Sequence, residues 1–355
     1  MKLLHAADLH LDSPFAGLPP EEAAARRARQ RQLAAALCRL ADSRGCAMLL
    51  LAGDVLDSTN PYPETLETLR RAFAACRCEI FIAPGNHDYF TPDGPWAGAW
   101  PENVHIFSAQ QPAAWYLPDS GWTVCGAAFT GPEAPALLEG FHAPAARSIM
   151  VLHGEAAARS KYNPVSRAQI AASGLQYLAL GHIHACSGLQ CDGGTFWAWP
   201  GCPEGRGFDE CGQKGVLEVT LEEDGGVQAV FLALPGCRYE TCTMAVPAGA
   251  DPVQTITQAL PPSDRLHLRL TLTGPGAAQL PALQRALEGQ YASLELRAAE
   301  PLDLWQEAEP GTLRGLFLQD LQAQWQTADP ARRAVLEEAA RLGLAALTGR
   351  EVTDP

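Results

Sequence analysis

Short apolar runs that stop against histidine, aspartate or asparagine are the feature that most restricts how this chain can fold. Runs over 2–6, 47–52, 79–83, 122–126, 148–152 and 177–180 are rich in Leu, Ile and Val, and longer Ala/Leu/Arg/Glu stretches of helical character separate them. Such alternation predicts an α/β layered fold. Four of the runs end directly before a polar cluster containing His, Asp or Asn, and 2–6 ends one residue short of Asp8. In open α/β sheets, ligands bind at the loops leaving the carboxyl ends of strands, so this placement already points to a site.

The clusters carry a consistent chemistry. In Asp8-Leu9-His10 the alternation of an extended segment lets both side chains face one centre. Gly53-Asp54-Val55-Leu56-Asp57, Gly85-Asn86-His87-Asp88, His153 and Gly181-His182-Ile183-His184 each follow a strand-like run. Oxygen and imidazole donors without thiolate suit manganese, iron or zinc, and a carboxylate can bridge two such ions. Glycine ahead of the clusters allows sharp turns and close backbone approach. Asp12 and Asp57 either orient a ligand or cap a turn. Arg206 either touches a substrate phosphate or closes an ion pair within its loop. His5, His105, His142 and His267 lie outside the motifs and read as satisfied surface or core residues.

At 355 residues the chain exceeds the size at which one core stops growing, so a large domain with a smaller companion is expected. A hairpin is predicted at 215–221 and 227–234, followed by Pro235-Gly236. Beyond it, strands at 239–246, 265–273 and 293–297 alternate with helices near 252–260 and 280–287. From Pro301 the pattern is helical, with Leu313, Leu316, Phe317, Leu321 and Trp325 on one stripe, and Val335, Leu336, Ala339, Leu342, Leu344 and Leu347 suggesting another. The expected domains are therefore 1–235, 236–300 and 301–355.

A net charge of −14 counts against a broad basic nucleic-acid surface, although two bound cations would reverse the local field. Arg26, Arg27, Arg29 and Arg31 read as a solvated helix face. No apolar run reaches membrane-spanning length, and the start shows no export signal, so a cytoplasmic protein with no membrane partner is expected. Eleven scattered cysteines without a Cys-x-x-Cys pair fit reduced thiols, with Cys202 and Cys211 the pair to check.

The ordered set Asp8-x-His10, Gly53-Asp54-x-x-Asp57, Gly85-Asn86-His87-Asp88, His153 and Gly181-His182-x-His184 resembles the calcineurin-like metallophosphoesterases. Within them it is most similar to SbcD-type DNA repair nucleases and their YhaO-like relatives, whose pattern is also met at His5 to Phe15 and at Pro200-Gly201 to Gly215. The motif match covers residues 1 to about 235. The resemblance implies a sandwich of two central sheets flanked by helices, with a small α+β capping domain and carboxyl-terminal helices. It implies that Asp8, His10, Asp54 and His184 bind one metal and Asp54, Asn86, His153 and His182 the other, with manganese first and iron or zinc as alternatives. His87 is then the general acid, oriented by Asp88. Two cations roughly 4 Å apart can hold a bridging hydroxide for in-line attack, without a protein nucleophile.

The implied function is a DNA exonuclease or endonuclease subunit working with an SbcC-like or YhaN-like coiled-coil ATPase, and a homodimer is compatible with this. A phosphoesterase for a nucleotide or phospholipid headgroup is the alternative. An interaction subunit without catalysis is disfavoured by the intact ligand set.

Overall fold

In a computed structural model, the described residues are 1–157, 159–247, 249–274, 280–299, 305 and 311–347. The chain opens with β1 (Lys2–Ala6), α1 (Pro20–Gln30), α2 (Gln32–Arg44), β2 (Met48–Leu51), α3 (Pro63–Ala74), β3 (Glu79–Ile82) and β4 (Val104–Ile106). Every residue of β2 is buried, as a continuous apolar run covered on both faces requires. Proline in the first turn starts α1 and α3, and Gly45, at φ +66°, ends α2 in the left-handed conformation.

Next come β5 (Ala113–Leu117), β6 (Trp122–Gly126), β7 (Ser148–His153), α4 (Arg167–Ala172), β8 (Tyr177–Gly181), β9 (Gln190–Asp192), β10 (Thr195–Ala198), β11 (Gly215–Leu221) and β12 (Val227–Ala233). Among the described residues these build two six-stranded sheets, ordered β12-β11-β1-β2-β3-β4 and β5-β6-β7-β8-β10-β9. Leu3, Met48, Leu50 and Phe81 of the first sheet pack against Trp122, Val124, Ile149, Val151 and Tyr177 of the second. Leu33, Leu37, Leu69 and Phe73 of α2 and α3 cover the outer face of the first sheet, and Ile170 of α4 lies on that of the second. This is the layered α/β sandwich with two central sheets. Strands β4, β5, β9 and β10 are additions to the sequence reading: they are short, and their mixed polarity gives no clear period.

The chain continues with β13 (Arg238–Ala245), α5 (Pro252–Ala259), β14 (Ser263–Thr273), α6 (Leu280–Ala286), β15 (Tyr291–Ala298), α7 (Leu313–Thr327) and α8 (Pro330–Leu347). The β13-β14-β15 sheet matches the βαβαβ order expected for this stretch. Chain contacts define two units. One holds Met1–Cys242, Pro261–Arg269 and Leu287–Glu295; the other holds Thr243–Leu260, Leu270–Ala286 and Leu296–Pro355. In the second unit α7 and α8 pair around Leu318, Ala340 and Leu344, joined by Phe317 and Leu321. The predicted stripe is thus divided: Phe317 and Leu321 pack inward while Leu313 and Leu316 are exposed. Positions 301–304, 306–310 and 348–355 of the expected helical segment lie outside the described residues. No helix among the described residues is long and apolar enough to cross a membrane.

The expected solvated face of α1 is corrected. Arg26 is buried, donating through Nη2 to the Gly205 carbonyl at 2.9 Å, with Nη1 3.0 Å from His267 Nε2. Arg31 donates to Asp12 and Thr65 at 3.1 and 2.7 Å. The Ala-rich spacing gave helix but could not show which arginines face other elements.

Candidate metal centre

Loops at the carboxyl ends of β1, β2, β3, β7 and β8 converge on one cluster. The first two are laced together by the backbone: Asp8 N donates to Gly53 O at 3.0 Å, His10 N to Asp54 O at 2.9 Å and Leu11 N to Val55 O at 2.9 Å. Asp8, His10, Asp54 and His182 all have positive φ, between 44° and 97°. Left-handed backbone at a non-glycine residue costs on the order of 1–3 kcal/mol, so the surrounding structure must enforce it. A Cβ at Gly85 would collide with the Asp54 carboxylate, and one at Gly53 with the His153 ring, which explains glycine at both places.

Seven side chains named from the sequence, Asp8, His10, Asp54, Asn86, His153, His182 and His184, meet here. At one end His10 Nε2 and His184 Nε2 lie 3.3 Å apart. Each ring's other nitrogen rests on a carboxylate, His10 Nδ1 at 3.1 Å from Asp57 Oδ1 and His184 Nδ1 at 2.8 Å from Glu210 Oε1. With Nδ1 donating, both Nε2 atoms are bare acceptors that face each other. Asp8 Oδ1 is 3.8 Å from His184 Nε2, and Asp54 Oδ2 is 3.7 Å from His10 Nε2. At the other end His153 Nδ1 lies 2.9 Å from the Ala52 carbonyl, to which it must donate. Its Nε2 therefore faces Asn86 Oδ1 at 3.0 Å, His182 Nδ1 at 3.2 Å and Asp54 Oδ2 at 3.3 Å. Imidazole and carboxylate donors gathered at both ends of Asp54 form a set that fits cations, and carboxylates behind imidazoles are what metal ligands usually have.

At the His153 end a proton on Nε2 competes with a cation for the place beside Asp54. Burial raises the Asp8 carboxyl against the pull of His153 and His184. Burial would also raise Asp54, but the positive charge and hydrogen bond of His153 hold it well below the usual carboxylate range. Burial opposes protonation of His153, yet Asp54 outweighs it and lifts the ring to about 9. His182 falls to about 4 through burial and the His153 charge. For Glu210, burial is overcome by hydrogen bonds from His184 and Arg206, which keep it ionised.

His87 stands at the rim, exposed, its ring centre 4.8 Å from that of His10 and its Nδ1 3.1 Å from the Asp57 carbonyl. Donor atoms of His87, His10 and Asp54 also lie within 4.8 Å of one another, so the ring could itself serve as a ligand, a role the sequence did not suggest. Asp88 corrects an expectation: instead of orienting His87, its carboxylate accepts backbone N–H groups of Gly85 at 2.7 Å, Val55 at 2.9 Å, Leu56 at 3.1 Å and Asp54 at 3.2 Å. It fastens the β3 loop to the β2 loop. The Arg206 alternatives resolve toward the ion pair, with Glu210 at 2.6 Å and Asp57 at 3.3 Å. Cys202 and Cys211 are both free thiols.

Two contributors escaped the sequence reading. Glu210 was noted only as part of a motif, and its fourth-residue spacing from Arg206 was the available signal. Asn163, at φ +50°, donates to the His153 carbonyl at 2.8 Å and accepts from Leu137 N at 2.7 Å; nothing around it in sequence marks it.

Residues 1–186 match the calcineurin-like phosphoesterase family. A Bacillus subtilis (strain 168) protein described as uncharacterized metallophosphoesterase YhaO is 32% identical over 239 residues, which cover 62% of this chain and 57% of that protein. The match thus spans less than two thirds of the relative's length.

Proposed function

Because the chain belongs to the calcineurin-like phosphoesterases, it is a metal-dependent hydrolase of phosphate esters, and we propose that it cleaves phosphodiesters of DNA in the cytoplasm as a repair nuclease. Asp8, His10, Asp54 and His184 would hold one divalent ion and Asp54, Asn86, His153 and His182 the second, manganese being favoured by the mixed oxygen and imidazole donors and iron or zinc being the alternatives. Bound there, two cations supply a nucleophile from water at neutral pH and neutralise charge on the phosphoryl oxygens. The chain's own work is to hold Asp54 ionised between the two positions and to present His87 at the rim. With Nδ1–H donating to the Asp57 carbonyl, a protonated His87 can deliver its Nε2 proton to the departing sugar oxygen.

One observation carries the DNA reading: a basic and aromatic strip rooted in the metal loop. Asp12 accepts the Tyr62 N–H at 2.9 Å and Arg31 Nε at 3.1 Å, and the guanidinium carbons of Arg27 and Arg31 lie 5.7 and 5.4 Å from the Tyr62 ring centre. Tyr62 is 50% exposed. An exposed ring flanked by arginines is how sequence-tolerant proteins take a strand, stacking bases and tracking phosphates. The net charge of −14 favours a second reading, hydrolysis of a small phosphodiester. Linear DNA and bis-p-nitrophenyl phosphate, offered to one manganese-loaded sample, separate the two. Under the DNA reading both are cleaved, Tyr62→Ala slows only DNA, and His87→Ala costs about 100-fold to 10,000-fold on DNA but less on the activated ester. Intact DNA beside rapid ester cleavage would establish the small substrate.

We also propose that the exposed Leu313 and Leu316 of α7 receive a coiled-coil ATPase partner. Deleting residues 301–355 should then abolish co-purification and leave ester hydrolysis unchanged. A truncated chain that aggregates assigns these helices to the protein's own core.

A further inference from the structure

A second cluster of ligand atoms lies at the opposite ends of the strands. Cys38 and Asp42 are four residues apart on α2 and share a face, while Cys76 and Cys78 occupy the turn between α3 and β3. Cys38, Cys76 and Cys78 are all buried. Cys76 Sγ is 3.2 Å from Cys78 Sγ, 3.9 Å from Asp42 Oδ1 and 4.0 Å from the Cys38 carbonyl oxygen. The Asp42, Cys76 and Cys78 donor atoms all lie within 4.8 Å of one another.

The turn is held in place independently of the thiols. Asn103 Nδ2 is 3.1 Å from each of the carbonyls of Phe73, Cys76 and Cys78, and Asp42 Oδ1 also accepts the Arg77 N–H at 3.0 Å. A backbone clamped by a side-chain amide on one side and by the helix carboxylate on the other fixes where both sulfurs point, the bracing that metal ligands need. Burial with small apolar neighbours alone would account for three cysteines in a core. It does not require two sulfurs and a carboxylate oxygen to converge within 4.8 Å, with Asp42 Oδ1 reaching Cys76 Sγ as well as the Arg77 N–H.

We propose that Cys76, Cys78 and Asp42 hold a thiophilic divalent cation of the zinc class. Two sulfurs and a carboxylate oxygen are donors that zinc accepts, and water would complete a four-coordinate shell. Zinc–sulfur bonds of about 2.3 Å place sulfurs roughly 3.8 Å apart, so the Cys76–Cys78 pair opens by a few tenths of an ångström on binding. Thiol protons leave to solvent as the ion enters. Arg39 and Arg77 border the cluster and offset part of the thiolate charge. Such an ion would tie α2 and the α3 turn to the start of β3, the strand that delivers Asn86 and His87 at its far end.

Cobalt titration of the reduced full-length chain tests this, because the catalytic donors are oxygen and nitrogen and give no thiolate-to-cobalt charge-transfer band. We expect that band to grow to one equivalent and to bleach when zinc is added. It should survive Cys202→Ser/Cys211→Ser and vanish in Cys76→Ser/Cys78→Ser. Asp42→Asn should keep the band but weaken cobalt binding at least tenfold, and it decides the matter if the double cysteine variant does not fold. No band in the reduced protein, a band that survives loss of Cys76 and Cys78, or unchanged affinity in Asp42→Asn overturns the proposal.

Discussion

The two ends of the histidine and carboxylate cluster around Asp54 are braced by different means. At the His10–His184 end the supporting groups are side-chain carboxylates, Asp57 and Glu210, themselves tied to Arg206. At the His153 end support comes from backbone, the Ala52 carbonyl holding Nδ1, with Asn163 bonded to the His153 carbonyl behind it. The first end is partly open, with the His184 side chain 31% exposed, whereas that of His153 is wholly buried. A side-chain brace can be altered by a point change, while a carbonyl cannot. The open end is therefore where affinity can be tuned, and the buried end is where the fold itself sets it.

The strongest way to break this contrast is to remove what both ends share. Asp54→Asn keeps the shape but removes a full negative charge from both positions, and should lower turnover on the order of 1,000-fold or more with loss of both ions. Metal analysis by mass spectrometry after purification reads this; two fully retained ions would refute a shared carboxylate. Glu210→Gln acts on one end only. Replacing the charged acceptor behind His184 by a neutral amide should weaken a single ion by about 10-fold to 100-fold and leave the other in place, which a two-phase metal titration resolves. Equal weakening of both ions would erase the distinction between the ends.

The smallest effect belongs to the buried side. His5 bridges the sheets behind the cluster, Nδ1 2.8 Å from Tyr177 Oη and Nε2 3.1 Å from the Leu180 carbonyl, and burial lowers its pKa to about 3. The unfolded chain, near 6.5, binds this proton first. Stability from His5 is complete above about pH 6.5 and falls as pH drops toward 3, by about 1.4 kcal/mol per unit across that window. Urea unfolding midpoints from pH 7 to pH 5 should therefore slope less in His5→Gln than in the parent chain. Parallel slopes would mean that His5 does not titrate on unfolding.

What could be read in the sequence followed from local order. The runs before Asp54, Asn86, His153 and His182 are strands, and the donor atoms of these residues, with Asp8, His10 and His184, do converge. The parts that could not be read are made by distant contacts. Asp88 looked like a partner for its neighbour His87, but its oxygens serve the β2 loop, more than thirty residues earlier. Glu210 reaches His184 across 26 residues. The cysteines seemed scattered because 38 positions separate Cys38 from Cys76, a gap closed by packing α2 on α3.

The left-handed backbone at Asp8, His10, Asp54 and His182 has a consequence for how the chain can change. Glycine would relax each of these positions, and each such change would delete a ligand atom. Selection for a sturdier protein and selection for a working one therefore pull in opposite directions at the same residues. Aspartate and histidine tolerate this region better than branched or bulky residues do, which narrows the replacements that could ever be sampled here. Variants chosen only for heat resistance should accumulate glycine at these positions and lose metal as they do so.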